Sequence, residues 1–239
     1  MISVPGGLWS STRERYLSMR ARCERSRGLL VIGLGAALVI GAVNVRRWAG
    51  RWGVSDDDLH RPLAGDDIVT SPRWEMTLAT TINASPELVW PWLVQMGYQR
   101  GGLYSYDWLD RLFGILDRPS ADRILPQFQL LKTGDVIPLG AGPNWPIALI
   151  EPNRALVIAP DVPGFETSWA FILEPTGDGS TRLVTRSRAD YPTTPITWLY
   201  GSMLDPIAFV MTRRMLLGIK ERAERLAAGT DAIAARRIR

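Results

Sequence analysis

From Gly28 to Val45 (GLLVIGLGAALVIGAVNV) the chain runs for eighteen residues without a charge, with Arg27 before it and Arg46 and Arg47 after it. Few environments accept such a segment. As a helix it would reach roughly 27 Å at 1.5 Å per residue, a little under the ~30 Å hydrocarbon core of a bilayer. Trp48 and Trp52 follow where interfacial aromatics belong, and snorkelling arginines or slight thinning would cover the shortfall. A buried core helix rarely carries four glycines and needs a polar face. A cleaved signal peptide needs a shorter lead and a small-x-small site where Arg46 and Arg47 stand. A transmembrane helix is therefore expected over residues 28–47, after a basic arm, residues 1–27, and before a tether, residues 48–71.

Gly33, Ala37 and Gly41 recur every fourth residue, a stripe that could let two such helices approach and so form a homodimer. The stretch Val31 to Leu38 imitates a glycine fingerprint for dinucleotides. It fails because Leu38 stands where that motif needs Gly or Ala, and no alternating strand-helix pattern follows. Arginine counts orient the span: six from Arg13 to Arg27 against three from Arg46 to His60. The N-terminus is thus expected in the cytoplasm and the rest of the protein outside.

The net charge of +4 also sits at the start, where Met1 to Arg27 holds six Arg and two Glu, while the remainder balances at twenty-two basic against twenty-two acidic side chains. Nucleic acid is not expected as a partner, because its phosphates call for a basic patch on the folded body. With Cys23 and His60 the single residues of their kinds, a disulfide framework, a cysteine-rich zinc site and a pair of catalytic histidines are excluded. No metal and no cofactor are expected. The run Asp56-Asp57-Asp58 lacks spaced partners and reads as a solvated acidic turn.

A folded domain is expected over residues 72–229, ahead of a basic tail, residues 230–239. Trp74, Met76, Leu78, Thr80 and Ile82 alternate as in a half-buried strand. Ser85-Pro86-Glu87 then caps a helix of about three turns that stops at Gly97 and should kink at Pro91. A second short helix is expected from Leu103 to Gly114, and one turn at Ala121 to Leu125. Strands follow at Asp135–Leu139, Pro146–Glu151, Arg154–Ala159, Ser168–Glu174 and Thr181–Ala189, joined by Pro152-Asn153 and by Gly177 to Ser180. Finally Asp205 and Pro206 open a long helix that ends at Gly229, its apolar stripe made of Ala208, Met211, Met215, Ile219, Ala223 and Leu226.

This order, an α+β chain of one strand, two short helices, a run of antiparallel strands and a long C-terminal helix, resembles the START/Bet v 1-like helix-grip superfamily, which includes polyketide cyclases and lipid-transfer proteins. The pieces that carry the likeness are INASPELVWPWLVQMGYQRGGLYSYDWLDRLFG, GDVIPLG, EPNRALVIAP, FILEPTGDGSTRLVTRSR and FVMTRRMLLGIKERAE. The resemblance implies a curved sheet around the long helix with an apolar cavity between them. It implies no catalytic motif, because function lives in sites grafted on folds. Met211, Met215 and Ile219 match the cavity-facing stripe of the family's last helix, and Trp74, Met76, Trp169, Phe171 and Leu173 match its sheet positions. Methionine suits an adaptable pocket.

The densest polar and aromatic cluster is Arg100, Tyr104, Tyr106 and Asp107, expected at the pocket mouth, with Trp92 on the apolar stripe of the preceding helix. Arg182, Arg186 and Arg188 share one strand face, which reads as a solvated outer surface, with an anionic headgroup as the other reading. The expected function is membrane-tethered binding or transfer of a hydrophobic small molecule: a lipid, isoprenoid or polyketide-like compound. The alternative is a cyclase or dehydratase on such a ligand, using Asp107 or Tyr106 as acid or base. Binding is expected ahead of catalysis.

Overall fold

A computed structural model describes residues 50–237, apart from 141–143, 161, 163 and 193. The apolar run Gly28 to Val45 and its Gly33, Ala37 and Gly41 stripe lie outside these residues. Among the described residues no helix is long and apolar enough to cross a membrane.

The elements in chain order are α1 (Asp56–His60), β1 (Trp74–Ile82), α2 (Pro86–Val94), α3 (Asp107–Leu112), a 3-10 turn at Pro126–Phe128, β2 (Val136–Ile137), β3 (Trp145–Glu151), β4 (Ala155–Ile158), β5 (Glu166–Pro175), β6 (Thr181–Asp190) and α4 (Pro195–Arg237). The strands form one sheet in the order β1-β6-β5-β4-β3-β2. Every pairing is antiparallel. The sheet curves around α4, and this α+β arrangement fits the helix grip.

The inward side of β1 is the one the sequence predicts, but the strand is not half-buried, because Thr77 and Ala79 on its other side are buried too. Met76, Leu78 and Ile82 join Leu183, Phe171, Leu173, Leu156 and Ile158 in the inner core, against Met215, Leu216, Ile219 and Ala223 of α4. The helix is fastened to the strand's end by polar contacts, Lys220 Nζ donating to the Thr81 carbonyl at 2.5 Å and the Asn83 amide donating to Glu224 Oε1 at 2.8 Å.

Three expectations are corrected. The second short helix spans only Asp107–Leu112, because Tyr104 has φ 58°, a left-handed conformation that no helix accommodates. The long helix starts at Pro195 and runs through Pro206 and Gly229. Its start is fixed by a reciprocal cap, the Thr197 amide donating to Thr194 Oγ1 at 3.1 Å and the Thr194 amide to Thr197 Oγ1 at 2.8 Å. Asp205 and Pro206 therefore lie inside a helix that is already running. The single helical turn forms at Pro126, where the proline opens it, and not at Ala121.

Residues 50–71, read above as a tether, fold onto the sheet: the first of them run along the free edge of β1, with Trp52 against the inner core, and the rest cover the outer face. The Gly50 and Trp52 carbonyls accept from the Thr77 and Ala79 amides of β1 at 3.1 and 3.0 Å. Leu63, with Val54, Ala64 and Ile68, then packs on Ala79, Val157, Ala170, Ile172 and Val184. The solvated outer face is thereby corrected too: Arg186 is 3% exposed. Asp58 is likewise buried in α1, where it pairs with Arg182 and closes a capping box with Ser55. A covered face needs apolar partners, and Val54, Leu63 and Ile68 are spaced too irregularly among Gly, Asp and Pro to announce themselves as one.

Candidate functional site

The segment ahead of β1, the head of α3 and the middle of α4 converge on a cleft of about 490 Å³ lined by Trp52, Tyr106, Phe209, Val210 and Arg213. The Arg213 guanidinium lies over the Trp52 ring, 4.7 Å from its centroid, a cation–π contact that holds the indole at the rim. Tyr106 is the sequence-predicted residue that reaches this cleft. It occupies the N-cap position of α3 with its ring partly in solvent.

The other expected ligand contacts lie deeper and pack on one another. Trp92, Tyr104, Phe171, Met215 and Ile219 are buried in the inner core. The Trp92 and Tyr104 rings meet edge to face with centroids 6.0 Å apart, and the Tyr104 hydroxyl donates to the Trp92 carbonyl at 3.1 Å. Burial pushes the Tyr104 phenol above its ordinary range. The Arg222 guanidinium lies over this ring, 4.7 Å from its centroid. Tyr104 can hold its left-handed backbone against α4 because residue 218 is glycine: a Cβ there would stand 2.2 Å from the Tyr104 carbonyl oxygen. Trp169 is half-buried against the core, tilted on Phe171 at 5.0 Å and edge-on to Trp145 at 6.4 Å, with its indole N–H donating to Thr185 Oγ1 at 2.9 Å. Met211 is half-buried on α4. In contrast to Trp169, the Trp92 indole nitrogen is buried without a hydrogen-bond partner among the described residues.

Two members of the expected polar cluster serve the backbone. Arg100 donates to the Met96 and Val94 carbonyls at 2.9 and 2.8 Å, satisfying the C-terminal end of α2, and stacks on Phe128 at 4.5 Å. Asp107 accepts from the Ser120 amide at 3.1 Å and the Ser120 hydroxyl at 2.7 Å, pinning the loop that follows α3. The cluster is therefore divided: Tyr106 faces the cleft, Tyr104 the core, and Arg100 and Asp107 bind main chain or loop.

Sequence reasoning missed Asp110. It is fully buried on α3, its carboxylate poorly satisfied by hydrogen bonds, with the Ser105 hydroxyl beside it. Burial raises its carboxyl to about 6; Ser105 offsets part of this and the neighbouring Asp107 adds to it. The available signal was its setting, a carboxylate among Trp108, Leu109, Leu112 and Phe113. Phe209, Val210 and Arg213 were also missed, since they flank Met211 on the helix without sharing its stripe.

A second, more polar cleft of about 760 Å³ lies where the outer covering meets the β3–β4 turn, with Arg61, Glu87, Glu151 and Arg154 in its lining. Among the described residues no group of three or more His, Cys, Asp and Glu side chains is placed to hold a metal ion.

No family model matches the sequence, and no curated protein does. Among solved structures, hypothetical protein jhp0584 of Helicobacter pylori is 12% identical, with 68% of this chain and 95% of that one covered at a TM-score of 0.46. CalU16 of Micromonospora echinospora is 18% identical over 64% of this chain and 86% of its own, at 0.32. The Aha1 dimer of Colwellia psychrerythraea is 20% identical over 64% and 97%, at 0.35. The strand order and the long C-terminal helix described above are themselves what fits the helix grip.

Proposed function

We propose that the protein is a membrane-tethered module that binds or transfers a hydrophobic small molecule of lipid, isoprenoid or polyketide type. The observation that carries this is the cleft between α3 and α4: Trp52, Phe209 and Val210 supply apolar wall, while Tyr106 and Arg213 supply one hydroxyl and one guanidinium. Its volume of about 490 Å³ falls within the ~300 to 1,000 Å³ common for small-molecule sites. The uncharged run Gly28 to Val45 supports tethering, and a ligand that partitions into a bilayer meets a tethered module at high effective concentration. The arginine asymmetry around that run supports an outward-facing domain.

The second reading, cyclase or dehydratase chemistry, has one observation in its favour: Asp110, with its carboxyl pushed up to about 6, lies one helical turn from Tyr106. It carries less weight, because Asp110 does not line the cleft.

The test is native mass spectrometry of the full chain, purified in mild detergent from its own host, followed by solvent extraction. A recurrent apolar compound should accompany the wild type and be lost from Val210→Trp, whose ring would fill the cleft. Wild-type protein that repeatedly arrives empty overturns the proposal.

A further inference from the structure

Helix α3 is turned inside out with respect to water. Its outward side is Trp108, 66% exposed, and Leu112, 72% exposed, continued by Phe113 just past its end, while the side chain it buries is the poorly satisfied carboxylate of Asp110. In water a short surface helix does the reverse, hiding its apolar residues and wetting its acid. Such an inversion is favourable where the outside is not water. We propose that α3 docks on a lipid bilayer, with Trp108, Leu112 and Phe113 entering the interfacial zone.

Three observations select the bilayer as occupant. The residue types are those that settle at the boundary of headgroups and acyl chains, an indole and a phenyl ring beside a leucine. Arg111, exposed in the same turn, has a stem long enough to lie along apolar surface while its head meets phosphate. Finally, the patch adjoins the point where the chain enters the fold. Tyr106 at the head of α3 shares a cleft with Trp52, and Gly50 is five peptide steps from Val45, a reach of roughly 17 Å when fully extended. A membrane that holds Val45 is thus within a short distance of this end of the domain. The choice of occupant rests on the tethered reading above; the inversion of α3 does not.

The experiment uses the full chain with Cys23→Ser, reconstituted in vesicles of phosphatidylcholine and phosphatidylglycerol at 3:1. A fluorophore is attached through Leu112→Cys, through Trp108→Cys, or, as control, through Asp57→Cys on the strap that covers the sheet's other face. Nitroxide-bearing lipid should quench the labels at 112 and 108 at least threefold more than the label at 57, and a water-soluble quencher should show the opposite order. Equal quenching at the three positions, or protection of residue 112 that appears without lipid and vanishes on dilution, would assign the face to solvent or to a second copy and overturn the proposal. Flotation of the unlabelled chain reads the anchor separately. If it does not float, the same labels on protein added to preformed vesicles still decide the role of α3.

Discussion

The guanidinium of Arg186 meets the carboxylate of Asp66 at 2.6 Å across 120 residues of chain, beneath the segment that covers the outer sheet. The same side chain donates to Thr77 Oγ1 at 3.1 Å and to the Arg61 carbonyl at 3.2 Å. Removing one partner of a buried pair strands the other charge, at a cost of ~3 to 5 kcal/mol. Asp66→Ala should therefore lower the melting temperature by on the order of 10 °C. A shift within error of zero would show that residues 50–71 do not stabilise the sheet.

Asp58 tests the same covering through pH. Burial alone would raise its carboxyl, but the hydrogen bond and charge of Arg182, with the Ser55 bonds, hold it well below the usual carboxylate range. A depressed acid contributes stability above the unfolded pKa of ~3.9 and loses it as pH falls further. Asp58→Asn should be less stable than wild type at pH 7, and the gap should narrow in melts taken below about pH 3.5.

Asp110 has the opposite sign. Raised to about 6, it makes the folded state bind a proton that the unfolded chain has already released, so stability declines as pH rises from ~4 to ~6 and is level above. Asp110→Asn should match wild type at pH 4 and exceed it at pH 7.5 by an amount on the order of 3 kcal/mol. Chemical denaturation at the two pH values checks this; a variant that is less stable at both would mean that the hydrogen bond from Ser105 outweighs the burial of the charge.

Gly218→Ala should be severely destabilising, since its Cβ would stand 2.2 Å from the Tyr104 carbonyl. Gly177 has nothing within 4 Å of the same atom, and Gly177→Ala should be neutral or gain up to ~1 kcal/mol. Urea unfolding of the pair separates close packing from generic loss of glycine.

Met215 is buried among Leu216, Ile219 and Ala223. Met215→Trp should cost ~1 to 3 kcal/mol through overpacking, whereas Val210→Trp at the open cleft should leave the ligand-free melting temperature within about 1 °C. Equal stability for both would reveal room beside Met215.

The inner half of the fold was legible because its physics is periodic. Trp74 to Ile82 alternate in residue type, and Met215, Ile219 and Ala223 keep helical spacing, so each element could be read from a few neighbours. The pieces that escaped depend on distant partners. Arg182, Arg186 and Arg188 look like a wet strand face until Asp58 and Asp66, more than a hundred residues earlier, are laid over them. Tyr104 fits a helical pattern locally, but its backbone is set by contact with Gly218. The polar cluster around it was legible by composition, whereas its division between core, cleft and main chain required the fold.

The two backbone bonds from Gly50 and Trp52 to β1 bear on how the protein behaves in company. β1 and β2 are the outermost strands of the sheet, and β2, at two residues, is too short to template another chain. β1, at nine residues, is long enough to recruit a strand from a neighbour. The residues just ahead of the sheet already sit along part of it, so a chain trimmed between Trp52 and Pro72 would keep its inner core and expose a ready seam for aggregation.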